Sequence, residues 1–242
     1  MAIALLKYCD AFYALCRGNA RTLSAQELSQ TISFARISLI VGLVFLHYQE
    51  YPNSKVSPFQ GLDVTQHQFA TFANSFVLFF FFSVVPLLSM VSGWLFFSFA
   101  EEDATRALIH RMRRRFFSLY LPLVFWNALF LALLVGLFIH EPGYPLFDDL
   151  NIRFDSASGL DYVNAVFGIT DHPVGFQFWF VRDLFVTALV SPLLWLMLRR
   201  AAYLGLVLLG LAWLAGNDLI IFFRSDVVFF FYLGALIRLR GV

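Results

Sequence analysis

The sequence predicts an all-α protein, a polytopic transmembrane helix bundle of about six spans, and three observations carry that prediction. Hydrophobic residues make up 60% of the 242-residue chain and charged residues 14%, with 31 Phe; an ordinary soluble domain is about 45 to 50% apolar. The apolar residues gather in runs close to the roughly 20 residues that cross the hydrocarbon of a bilayer. The 17 lysines and arginines concentrate on alternate connections between those runs, as the positive-inside rule requires. A net charge of +1 offers no basic surplus for a nucleic-acid partner. Cys9 and Cys16 lie outside the runs without a CxxC or Cys/His pattern, so neither a metal centre nor a disulfide framework is expected.

Residues 1–31 mix Leu, Tyr and Phe with Lys7, Asp10, Arg17, Arg21 and Glu27. They read as a cytoplasmic N-terminal extension, either an interfacial helix or a disordered tail, ahead of a membrane domain over residues 32–242. The first span runs from Ile32 to Tyr51 and is ended by Pro52 and Asn53. Within it Arg36 and His47 are eleven residues apart, which at about 100° per residue returns both to one helix face. Glu50 follows His47 at i+3 on that side. After a polar loop, the second span, Phe76 to Phe99, carries Pro86 and the pair Ser92 and Gly93, tolerable in lipid where a neighbouring helix packs closely on the glycine.

A charged connection holding Arg106, His110, Arg111, Arg113, Arg114 and Arg115 enters the third span, Phe116 to Ile139, with Pro122 in its first turns and Asn127 inside. The segment His140 to Gly175, rich in Gly, Pro and Asp, reads as a long loop with one amphipathic piece around Tyr162 to Ile169. Such loops carry binding groups or serve as tethers. The fourth span is Phe178 to Leu198, closed by Arg199 and Arg200; the fifth is Ala202 to Ala215; the sixth is Leu219 to Leu239, with Arg224 and Asp226 in its first half. With the N-terminus in the cytoplasm, all lysines and arginines except Lys55, Arg153, Arg182 and Arg224 fall on inner segments.

An ionisable side chain at mid-membrane costs about 2.5 to 3.5 kcal/mol on insertion scales, so such groups face a cavity or a partner. That singles out His47 and Glu50 on the first span, Arg182 and Asp183 on the fourth, and Arg224 and Asp226 on the sixth. Converging, they would enclose a polar pocket. On spacing alone His47 is either a boundary residue or a base with a pKa suited to proton transfer. Guanidinium groups at Arg36 and at 111–115 either bind phosphate or only set topology.

Arg36, ten intervening residues and His47 in the first span resemble the hallmark of the acyltransferase-3 family, multi-spanning bacterial enzymes that O-acylate surface polysaccharides. FFFFSVVPLLSMVSGWLFF (Phe79 to Phe97) resembles that family's second span, and RMRRRFFSLYLP (Arg111 to Pro122) its Arg-x-x-Arg entry into the third. FQFWFVRDLFVTALVSPLL (Phe176 to Leu194) and FFFYLGALI (Phe229 to Ile237) resemble later segments, in family order. The resemblance implies a short acyl-CoA, most simply acetyl-CoA, as donor and a hydroxyl of a surface or lipid-linked polysaccharide as acceptor. It favours His47 as general base and Arg36, Arg111 and Arg114 as holders of the coenzyme A head; by the base-orienter logic of hydrolytic triads, Glu50 or Asp183 would orient the ring. Arg113 and Arg115 keep the topological reading.

Trp179, Arg182, Arg224 and Asp226 would face the acceptor, although Trp179 also reads as an ordinary interfacial anchor. The implied location is the bacterial inner membrane, with the bilayer itself as a partner. Family members usually have around ten spans, so the chain corresponds to the front part of the pattern. A transporter or glycan flippase using the same polar pocket, and a non-catalytic membrane subunit, are the alternatives. A transporter usually carries internal repeats, which the sequence does not show.

Overall fold

The computed structural model of the chain describes residues 24–48, 82–99 and 103–240, together with residues 68, 69, 72, 76 and 80. Among the described residues every regular element is helical. The chain divides into two compact units, Met1–Ser38 and Leu39–Val242.

In the first unit, helix α1 (Ala25–Tyr48) begins ahead of the predicted Ile32. Ser24 and Glu27 explain the earlier start: the Glu27 carboxylate accepts the Ser24 N–H at 2.9 Å and the Ser24 hydroxyl accepts the Glu27 N–H at 3.3 Å. Two amide donors that a helix start leaves without partners are thereby satisfied, in the reciprocal pattern of a capping box. Arg36 is exposed on this part of α1.

In the second unit, α1 continues to Tyr48, and Leu39 and Leu43 pack against the main apolar core. That core is built by α2 (Val84–Phe96), α6 (Trp179–Leu189), α7 (Ser191–Arg200), α8 (Ala202–Leu214) and α9 (Ser225–Arg240). Helix α2 crosses α9 with almost no side chain between them. A Cβ placed on Gly93 would fall on the carbonyl of Phe231, and one on Gly234 would fall on the carbonyl of Met90. The predicted Ser92–Gly93 pair therefore lies at a backbone-on-backbone crossing, the arrangement small residues allow between apolar helices. Helices α8 and α9 meet through a side chain instead: the Tyr232 hydroxyl occupies the space over Gly205 and donates to the Ala202 carbonyl at 2.9 Å.

A continuous helix of 37 residues, Ala104–His140, is long and apolar enough to cross a membrane. It comprises α3 (Ala104–Arg115), a π-helical turn (Phe116–Tyr120) and α4 (Leu121–His140). Pro122 accounts for the widened turn, because it brings no N–H for the Ser118 carbonyl and its ring crowds that oxygen. The Leu121 N–H reaches back to Phe116 instead.

The predicted fourth span is bent by 58° between Leu189 and Ser191, just before Pro192, which sits at the start of α7. Helix α8, at 13 residues, is shorter than the roughly 20 that span hydrocarbon. The sixth apolar run becomes helical only at Ser225, because residues 216–224 form a turn in which Leu219 and Ile220 adopt φ of 53° and 68°. Among the described residues, then, one helix passes the length-and-apolarity test for a span, or two with the bent pair taken together.

The predicted 140–175 loop is folded rather than a tether. A second apolar cluster gathers Leu131, Leu134, Ile152, Ala165 and Val174, and Phe138, Phe147 and Phe154 pack ring to ring at 5.3 to 5.6 Å. The amphipathic piece expected near Tyr162 to Ile169 is α5 (Gly159–Phe167), opened by a capping box between Ser158 and Asp161. Gly168 closes it in the left-handed conformation at φ 59°.

Candidate active site

Helix α6 and the turn before α9 bring together most of the predicted polar cluster. Arg182 and Asp183, 7% and 0% exposed in their side chains, pair at 2.8 Å. The Asp183 carboxylate also accepts the N–H groups of Phe223 and Arg224, both at 2.9 Å. One buried carboxylate thus pins the turn that leads into α9. Arg182 reaches the other way: Nε donates to Gly168 and Nη2 to Ile169, both at 2.7 Å, and Nη1 donates to the Ile221 carbonyl. Its guanidinium lies 4.2 Å from the Phe223 ring centre. The pair is a clamp joining the end of α5, helix α6 and the turn before α9.

Beyond the clamp, Arg224 sits at the surface, its side chain 54% exposed and 2.7 Å from Asp226, itself 3% exposed. The Arg224 guanidinium lies 5.0 Å from the Trp179 ring. Asp226 Oδ2 takes the Arg224 hydrogen bond, while Oδ1 is buried without a partner among the described residues. A buried acceptor lacking a donor costs about 1 to 3 kcal/mol, so this oxygen is an under-satisfied group at the edge of the clamp. His172 stands close by, its ring 4.2 Å from Phe223 and 5.2 Å from Phe176. Asn127 of α4 contributes from the side: its Oδ1 accepts the Gly175 N–H at 3.0 Å, and Nδ2 is buried without a partner among the described residues.

At α3 the arginines divide by face. Ala104 and Leu108 are buried, and Arg111 and Arg115 follow them at helical spacing. Arg111 Nη1 donates to the Leu95 carbonyl at 2.6 Å and to that of Phe96, and Nη2 donates to Ser98 at 3.0 Å. The Leu95 and Phe96 carbonyls are the last of α2 and Ser98 lies just beyond it, at the helix end where carbonyls lack intrahelical partners and the dipole favours a cation. Arg115 donates to the Ser92 hydroxyl at 2.7 Å. Arg106, His110, Arg113 and Arg114 are exposed.

The acyltransferase domain family matches residues 30–242 of the chain. The chain belongs to the acyltransferase-3 family. This acyltransferase-3 chain is also 29% identical over 221 residues to the succinoglycan biosynthesis protein ExoH of Rhizobium meliloti (strain 1021), covering 89% of the chain and 55% of that protein. It therefore spans about half the length of the curated relative it matches. No solved structure matches it significantly.

Within this acyltransferase-3 chain the predicted site residues fall into three groups. Trp179, Arg182, Asp183, Arg224 and Asp226 come together, but Arg182 and Asp183 spend their polar atoms on each other and on main chain. Arg111 likewise spends its guanidinium on α2, whereas Arg114 is exposed. Arg36 lies in the first unit and His47 on the last turns of α1; the His47 side chain and the whole of Glu50 lie outside the described residues. His172, read from the sequence as a loop residue, joins the cluster because the turn 168–178 folds against α6. The buried Asn127 could have flagged that turn, since an amide inside an apolar run must find a partner.

Proposed function

We propose that this chain carries out acyl transfer as a membrane O-acyltransferase. It moves a short acyl group, most simply acetyl, from acyl-CoA on the cytoplasmic side to a hydroxyl of a surface or lipid-linked polysaccharide. Membership of the acyltransferase-3 family over residues 30–242 carries this reading, and a relative whose name assigns it to succinoglycan biosynthesis supports a polysaccharide acceptor. The chain crosses the bacterial inner membrane about six times with its N-terminus in the cytoplasm, a topology supported by the segregation of its basic residues.

In the proposed reaction His47 takes the proton of the acceptor hydroxyl as that oxygen attacks the thioester carbonyl. The carbon–sulfur bond breaks, and the proton passes to the coenzyme A thiolate. Glu50 orients the imidazole and stabilises its charged form. Arg36 and Arg114 bind donor phosphates through their guanidinium forks, while Arg111 acts through its hold on α2. Asp226 Oδ1 accepts a hydrogen bond from the acceptor sugar, Arg224 and Trp179 flank it, and Arg182 and Asp183 keep that surface in place.

The test uses the full chain with radiolabelled acetyl-CoA and candidate polysaccharides. Label transfer that His47→Ala abolishes, with the folded state retained, is the expected result. Asp226→Asn should lower turnover at least tenfold with little change in thermal stability. Absence of transfer to any hydroxyl acceptor, with substrate movement across vesicles intact in His47→Ala, would replace the enzyme with a transporter.

A further inference from the structure

Arg106, His110, Arg113 and Phe117 recur at i, i+4, i+7 and i+11, which places them on one helix face at about 100° per residue. That face is opposite the one carrying Ala104, Leu108, Arg111 and Arg115, so these side chains point away from the bundle. Two adjoining open cavities lie along it. One, of about 490 Å³, is lined by Thr105, Arg106, Ile109, His110 and Arg113; the other, of about 580 Å³, is lined by His110, Arg113, Arg114, Phe117 and Ser118. The Arg113 guanidinium lies 5.9 Å from the Phe117 ring, so cation and apolar surface are presented side by side. Further along the same helix Leu121, Phe125 and Leu129 are exposed and apolar.

We propose that this face is a binding site for the phosphate headgroup of an anionic glycerophospholipid. The inference rests on the reading that Ala104–His140 crosses the membrane. Charge complementarity selects the headgroup: two guanidinium groups and an imidazole stand together, and among the described residues none of the three has an acidic partner. Basic residues at the foot of a membrane helix attract anionic lipid, each contributing a factor of about five in affinity. Position selects lipid over the soluble donor. Phosphate seated between Arg106 and Arg113 has Phe117 and Leu121 above it for acyl chains, whereas the thioester arm of a coenzyme A held there would point away from the core. Arg114 borders the second cavity on the flank of the helix nearer Arg111, and that edge is left to the donor phosphates.

The test reconstitutes the full chain in nanodiscs of phosphatidylcholine with a minority of phosphatidylglycerol and reads retained lipid by native mass spectrometry, with no acyl donor or acceptor present. Wild-type protein should retain phosphatidylglycerol in preference to phosphatidylcholine. Combined Arg106→Gln and Arg113→Gln should reduce that preference about thirtyfold, and the corresponding Lys pair, which keeps the charge and guards against altered insertion, should restore most of it. The Michaelis constant for acyl-CoA should be unchanged in the Gln pair and raised by Arg114→Gln. Equal retention of the two lipids by wild type would overturn the proposal. So would displacement of phosphatidylglycerol by free coenzyme A together with a raised Michaelis constant in the Gln pair, which would give the cavities to the donor. Because lipid retention is read without turnover, an inactive protein that still selects phosphatidylglycerol would sink the acyltransferase reading and leave this one standing.

Discussion

Arg111 and Arg182 both direct their guanidinium groups at main-chain carbonyls, and they differ in what neutralises the charge. Arg111 meets the last carbonyls of α2 and has no carboxylate partner among the described residues. It is only half-buried, and water together with the negative end of a helix dipole suffices. Arg182 is 7% exposed and pairs with the fully buried Asp183. Removed from water, a cation needs a countercharge as well as hydrogen bonds. The same residue type therefore does a similar joining job in two ways, and burial decides which.

Removing the countercharge should expose that difference most sharply. Asp183→Ala leaves Arg182 buried and uncompensated and frees the N–H groups of Phe223 and Arg224, so it should destabilise the protein by about 3 to 5 kcal/mol. Thermal unfolding in detergent reads the loss; a change below about 1 kcal/mol would mean that water already reaches the pair. Arg111→Ala should cost less, about 2 kcal/mol, the usual range for hydrogen bonds made by a charged group. Arg111→Lys should recover only part of this, since an ammonium does not bridge two carbonyls with a fixed fork. If the Lys variant matched wild type, the helix-end field rather than the paired hydrogen bonds would be the source of the stabilisation.

The same contrast explains what was legible in the sequence. Ionisable residues inside apolar runs must meet partners, so the gathering of Arg182, Asp183, Arg224 and Asp226 could be expected from their placement alone, whereas Trp179 read equally as an interfacial anchor. The close packing at Gly93 was equally legible, because a glycine beside a serine in an apolar run invites a neighbouring backbone. Arg111 was not, because the carbonyls it meets lie on α2 and nothing local distinguishes a phosphate-binding guanidinium from a helix-capping one. The helix start at Ala25 was written in Ser24 and Glu27, and the bend near Val190 in Pro192; in both places the length of the apolar run outweighed the local signal. The late start of α9 had no such mark, since β-branched Ile220 with positive φ is a conformation its residue type argues against. At His47 nothing local separates a base from a boundary residue, and the role proposed for it rests on family resemblance.

The capping box of α5 gives the smallest expected effect and carries the comparison to a carboxylate with no buried partner. Asp161 accepts the Ser158 N–H and hydroxyl, both at 2.7 Å, and these hydrogen bonds, the hydroxyl's first, hold its pKa below the ordinary carboxylate value. A group with a depressed folded-state pKa contributes stability that is present above its unfolded pKa and is lost as pH falls through the folded one. Acidification below the ordinary carboxylate range should therefore loosen the first turn of α5, while at its other end the Gly168 carbonyl keeps the hydrogen bond from Arg182 Nε, a donor that does not titrate there. Hydrogen exchange of the Gly159–Phe167 amides at neutral and acid pH reads this locally, and Asp161→Asn should remove most of the pH dependence. Fraying at acid pH to the same extent in that variant would assign the effect to the clamp and not to the cap.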